Sequence, residues 1–236
     1  MALPKIDKPL FDIEVPSQAK TIKCRPFVVK EEKILLTAQQ AGTEKDIVLA
    51  IKQVLANCIQ DPTFDVETLT TFDLEFMFLK LRARSVNNQI EVSYRDAEDD
   101  KVYDFVIDLD EVEMLKTKEI NNKIMITDEV GLVMKFPSVT MLETMPAEIT
   151  SVDLVDYLVR SCIEQIFDAD DVYLASESTE AELNEFIDSL DVETFNKIRE
   201  FFDSLPSLYH KIEYTNSLGN ARTIELTTLS DFFTWG

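Results

Sequence analysis

His210 is the only histidine in this 236-residue chain, so a Ser/His/Asp or Cys/His catalytic site would have to be assembled around it. It alternates with Leu208, Ile212 and Tyr214, as on a strand face, and no G-x-S-x-G turn accompanies it. That spacing predicts a packed or edge histidine. Cys24, Cys58 and Cys162 are scattered, and none lies within C-x-x-C distance of another. Cys58 and Cys162 fall on apolar helical stripes, where a thiol acts as a small hydrophobe. The odd count argues against a disulfide framework and for a reducing compartment. Two acidic runs invite a calcium test. Asp168-Ala-Asp170-Asp171-Val-Tyr173 lacks the fifth-position ligand and the glycine of an EF-hand loop, and Asp96-Ala-Glu98-Asp99-Asp100-Lys101 also lacks the glycine. Both read as solvated turns or helix faces. With four glycines in the chain, at 42, 131, 219 and 236, neither G-x-G-x-x-G nor a P-loop can be formed. Acid–base carboxylates cannot be chosen among forty-five Asp and Glu without a separation in space. The expectation is a non-enzymatic protein with no catalytic residues, no metal and no cofactor.

The elements that would have to position any site begin with an extended opening, forced by Pro4, Pro9 and Pro16. FDIEV (11–15) and KTIKC (20–24) alternate as a strand pair. A helix is predicted over Lys30–Gln40 with Ile34, Leu35 and Ala38 inward and Gly42 as its stop. Thr43 and Asp46 start a second helix, with apolar positions 47, 51, 54, 55, 58 and 59 at helical period. Thr70 caps a third, TTFDLEFMFLKLRARS, apolar nearly all round and therefore suited to a core or a partner. The period then changes to two: Ile90, Val92 and Tyr94, a DAEDD turn, then Tyr103, Phe105, Ile107 and Leu109. EINNKIMIT and GLVMKFPSV are further strand candidates. A helix follows from Thr150 or Ser151 with Leu154, Leu158, Val159, Cys162 and Ile166 inward, then acidic helices near Glu180–Ser189 and Val192–Phe202. The tail predicts a hairpin turning at Gly219-Asn220 before an aromatic end. Clustered strands and clustered helices give an α+β class. The reading divides the chain into an α+β region, 1–147, and an acidic helical region with a C-terminal hairpin, 148–236.

Net charge is −22, and fifteen acidic against three basic residues lie between Asp153 and Asp203. Such a field repels phosphates, so nucleic acid is not an expected partner. No run reaches the ~18 apolar residues of a spanning helix, and MALPKIDKPLF has no signal-peptide core; neither a membrane partner nor secretion is expected. Residues 1–40 differ, with seven Lys/Arg against five Asp/Glu.

The pattern LPKIDKPLFDIEVPSQAKTIKCRPFVVKEEKILLTA, continued by EKDIVLAIKQVLANCI, FDVETLTTFDLEFMFLKLRARSV and FVIDLDEV, resembles the baseplate hub assembly proteins of T-even-like contractile-tailed phages. The marks are the LPKI start, R-P-F-x-x-K-E-E-K-x-L-L at 25–36 and F-D-x-E-x-x-F-L-x-L-R-A-x-S at 72–85, all between Leu3 and Val112. The resemblance implies a hub subunit or assembly factor, acting in the infected bacterium's cytoplasm or in the virion baseplate, with other hub or tail proteins as partners and a homo-oligomer open. Tyr94–Asp104 holds no cysteine, so no zinc-bound hairpin is carried over. On this reading Arg25, Phe27, Lys30 and Lys33 form a basic, partly apolar docking block, with Phe232, Phe233 and Trp235 as a second candidate contact. Against it, Phe27 and Leu36 would be core, Lys30 and Lys33 a solvated face, and Arg25 an internal brace for the acidic helices. The rival function is an acidic nucleic-acid mimic that occupies a DNA-binding protein.

Overall fold

Pro16 and Ser17 sit in the turn between β1 (Phe11–Val15) and β2 (Lys20–Cys24), which pair antiparallel with Ile13 opposite Ile22. Ile13, Val15, Ile22 and Cys24 alternate inward and are buried, as a period of two requires. This computed structural model describes residues 6–41, 43–115, 120–146 and 149–232.

Two compact units emerge: Met1–Leu115 together with Ser207–Gly236, and Lys116–Pro206. In the first, α1 (Val29–Ala41) packs on α2 (Glu44–Cys58), and α2 meets α3 (Thr71–Ser85). Thr43 caps α2 by accepting the Asp46 N–H at 3.1 Å. α3 begins with a capping box: Thr70 Oγ1 accepts the Asp73 N–H (3.1 Å), and the Asp73 carboxylate accepts the Thr70 N–H (3.1 Å). Asp73 also accepts the Ser17 backbone N–H at 2.8 Å, tying the β1–β2 turn to the helix start. Phe72, Leu74, Met77, Phe78, Leu79 and Leu81 are all buried, so the greasy helix is a core helix. Lys80 ends beneath three carbonyls, those of Leu109, Asp110 and Val112, at 2.8–3.0 Å.

β3 (Gln89–Arg95) and β4 (Val102–Asp108) form the expected hairpin. β5 (Glu113–Leu115) follows. It pairs with β10 (Ser207–Thr215), which pairs in turn with β11 (Ala221–Leu226). A four-residue helix, α8 (Leu229–Phe232), closes the described chain. The division therefore differs from a cut at 147/148: backbone pairing across some ninety intervening residues assigns the C-terminal hairpin to the first unit.

The second unit orders its sheet β6-β7-β8-β9, from β6 (Lys123–Met125), β7 (Gly131–Met134), β8 (Ile163–Phe167) and β9 (Val172–Leu174). Gly131 is needed here, because a Cβ would stand 2.8 Å from the Ile124 carbonyl oxygen and closer to the Phe167 ring. α4 (Val139–Thr144), α5 (Ser151–Cys162), α6 (Glu180–Asp188) and α7 (Val192–Asp203) complete the unit. Its core gathers Leu132, Met134, Val159, Cys162, Ile163, Ile198 and Phe201. The helix expected to run through Ile166 stops at Cys162: Ile163–Phe167, rich in β-formers, pairs with β7 instead.

Candidate functional site

Arg25 leaves β2 beside the end of α2, its backbone N–H donating to the Cys58 carbonyl at 2.9 Å. Its guanidinium then forks onto Glu31, at 2.9 Å to Oε1 and 3.4 Å to Oε2. Glu31 Oε2 also accepts the Val28 N–H at 3.0 Å, so this carboxylate, three residues into the helix turn, reaches back to the residue that precedes α1. Glu31 is 0% exposed, and it is the fully buried residue of α1. Burial works to raise its pKa, but the guanidinium and the Val28 N–H outweigh that and hold it below the ordinary glutamate value. Arg25 is thus an internal brace at the start of α1, holding the Glu31 carboxylate in place.

Phe27 is 7% exposed, its N–H donating to Ser85 Oγ at 3.0 Å. Lys30 and Lys33 are exposed, and neither has an ion-pair partner among the described residues. Around them Val29 is 63% and Leu36 52% exposed, with Val28 exposed too. The expected inner stripe, Ile34, Leu35 and Ala38, is only half-buried. The block therefore splits: Arg25 and Phe27 face inward, while Lys30 and Lys33 share an outer surface with apolar neighbours. Phe232 is 2% exposed and belongs to the core. Phe233 and Trp235 lie outside the described residues.

The acidic runs have internal partners. In the β3–β4 turn, Asp96 is fully buried and accepts from the Tyr214 hydroxyl, from Arg222 Nε (3.2 Å) and from the Glu98 N–H (2.7 Å). Glu98 receives both Asn216 and Asn220 side-chain amides at 2.6 Å. Asp99 accepts from the Ser217 N–H (3.0 Å), the Ser217 hydroxyl (2.8 Å) and the Tyr103 hydroxyl (2.6 Å). The DAEDD turn is thus a clamp on the β10–β11 turn. Gly219, at φ +87°, provides the left-handed residue that the clamped turn needs. The Tyr214 hydrogen bond leads the forces holding Asp96 below the usual aspartate range, and the Tyr103 hydrogen bond does the same for Asp99. Burial and the Asp96 carboxylate push Tyr214 up to about 12. Asp168 likewise organises its own turn, accepting the Asp170 and Asp171 N–H groups at 2.9 Å and the Tyr173 hydroxyl at 3.0 Å.

Among the described residues no three His, Cys, Asp or Glu side chains gather as a metal site, and no helix is long and apolar enough to cross a membrane. All three thiols are buried and free; burial leads their upward shifts, to about 12 for Cys24 and Cys162 and about 11 for Cys58, so they are inert at neutral pH. His210 is half-buried on β10, opposite Leu226. Burial, then the nearby Asp231, lifts Glu75 on α3 to about 7, a perturbation that no motif signals.

An open groove lies beside the outer surface of α1. It runs between α1 and α2, a cavity of about 490 Å³ lined by Lys33, Ile34, Thr37, Ala38, Ala41, Asp46, Leu49, Ala50 and Gln53. Its walls come from positions three, four and seven apart on each helix.

Residues 8–234 match the family model described as T4 bacteriophage base plate protein, which is nearly the whole chain. The chain belongs to this phage baseplate family. The match extends well past Val112, so the acidic second unit and the C-terminal hairpin are part of the family pattern too. Neither the curated proteins nor the solved structures give a match. For a phage baseplate protein, whose family places it among other baseplate proteins, the outer surface of α1 is the candidate site.

Proposed function

We propose that this baseplate protein is a non-enzymatic hub subunit, or an assembly factor for the hub, that works by docking on another hub or tail protein. The observation that carries the reading is the outer surface of α1, where Val29, Lys30, Lys33 and Leu36 stand exposed together on a chain of net charge −22. Apolar area supplies affinity, and the two cations supply selection and encounter rate. The acidic remainder keeps free copies apart and soluble until they meet that partner.

The test uses the tagged full-length chain recovered from phage-infected cells, with the bound proteins identified. Wild type should carry other baseplate proteins. The double variant Lys30→Glu/Lys33→Glu should keep its circular dichroism spectrum while associating with the recovered partner roughly 10-fold more slowly at low salt. Recovery of a DNA-processing enzyme would instead favour the nucleic-acid mimic. Wild-type association by the folded double variant would remove α1 from the contact.

A further inference from the structure

The α1–α2 hairpin is half finished as a packed object. A helix of thirteen residues normally buries a stripe of apolar side chains; α1 buries Glu31 and leaves Ile34, Leu35, Leu36 and Ala38 partly or largely in water. On α2 the pattern is graded: Ile51, Val54, Leu55 and Cys58 are buried, whereas Ile47, Val48 and Leu49, nearer the connection, are not. The groove sits against this uncovered end. Its lining positions, 34, 37, 38 and 41 on one side and 46, 49, 50 and 53 on the other, follow the helices for two turns, about 10 Å at 1.5 Å per residue. Ala38, Ala41 and Ala50 keep it open, so an incoming helix can approach closely.

We infer that this groove receives an amphipathic helix of another baseplate protein, with apolar residues spaced i, i+3 or i+4, i+7 and with carboxylates along the flank that meets Lys30 and Lys33. This rests on the docking role proposed above. Two observations select the occupant. The groove is shallow and mostly apolar, its lining side chains recurring at helical spacing on both α1 and α2, the form that a helix fills with residues at those spacings. Its charge is one-sided: Ile34–Ala41 and Ile47–Ile51 carry no charge, and Lys30 and Lys33 stand along the α1 rim without ion-pair partners among the described residues. Asp46, across the groove, is engaged with the Thr43 hydroxyl at 2.6 Å. A second copy would approach against the repulsion between two chains of −22.

The experiment places the photo-crosslinker p-benzoylphenylalanine at Thr37, and separately at Gln53, in the full-length chain expressed during infection. Both positions are exposed on the groove wall, so the substitution demands no repacking of the core. The expected product joins Thr37 or Gln53 to a helical segment of a baseplate protein whose crosslinked face is apolar and whose flank is acidic. Thr37→Trp, which fills the groove, should lower recovery of that protein at least 10-fold, and exchanging the flank carboxylates for Lys should restore binding to Lys30→Glu/Lys33→Glu. A crosslink to a second copy, or to an extended or basic segment, overturns the inference. So does undiminished recovery of the partner with folded Thr37→Trp and Gln53→Trp and no crosslink at either position. If wild type carries no baseplate protein at all, it is the docking role that fails, an outcome distinct from capture through another surface.

Discussion

At the scale of single residues, charge in this protein is mostly structural. Arg25 is the clearest case, a cation whose use is to keep a carboxylate buried. Arg25→Ala would leave Glu31 in the core without its cation, and stranding a buried charge costs about 3–5 kcal/mol. Arg25→Lys should recover part of this, since an ammonium cannot reproduce the fork onto two oxygens. The sign in pH follows from the depressed Glu31 pKa: its stabilisation is complete above the unfolded value, ~4.3, and is lost as pH falls through the lower folded value. Urea titration at neutral pH decides the matter, and a loss below about 1 kcal/mol for Arg25→Ala would mean that water reaches the carboxylate. This burial was not legible in the sequence. KEEK on a predicted helix looks like a solvated face, and nothing in the local pattern tells Glu31 from Glu32. That Arg25 could serve as an internal brace was legible; that the group it braces is Glu31 was not.

At the scale of elements, α3 organises the first unit. Phe78 is 1% exposed at its centre, so Phe78→Ala should cost ~3–5 kcal/mol in the same urea titration. A much smaller loss would show that the surrounding helices close over the gap. Elements with a strong local signature could be read directly: the Thr43 and Thr70 caps, the period-two runs of β1 to β4, the acidic helices and the turn at Gly219. What escaped was decided by distant partners. Leu154, Leu158, Val159, Cys162 and Ile166 fit a helical period, yet β7, thirty residues earlier, takes Ile163–Phe167 as a strand. β5 is three residues long and exists only because β10 is there to pair with it. The candidate site was half legible for the same reason. Lys30 and Lys33 could be seen as surface cations, but the groove beside them depends on how far α1 lies from α2.

At the scale of the whole molecule, the clamp joins parts of the chain 118 residues apart, from Asp96 to Tyr214 and from Asp99 to Ser217. Both aspartates are held below their ordinary range, so the clamp contributes fully above about pH 4 and is lost as pH falls through their folded values. Amide exchange at Ser217–Asn220 should therefore quicken below that pH. In Asp99→Asn the same amides should exchange faster at neutral pH and depend less on acid, because the titrating group has gone. An unchanged acid response in that variant would assign the sensitivity elsewhere.

The pairing of β5 with β10 also sets an order of events on the ribosome. Every strand and helix of Lys116–Pro206 has been synthesised before the first residue of β10 emerges, and that segment contains a core of its own. The first unit must meanwhile wait with its sheet incomplete and the DAEDD turn empty. At ~5–20 residues per second the wait lasts roughly 5–20 s. The half of the protein that starts first is the half that finishes last, so a nascent chain presents α1 and α2 well before its own C-terminal strands can complete the first unit.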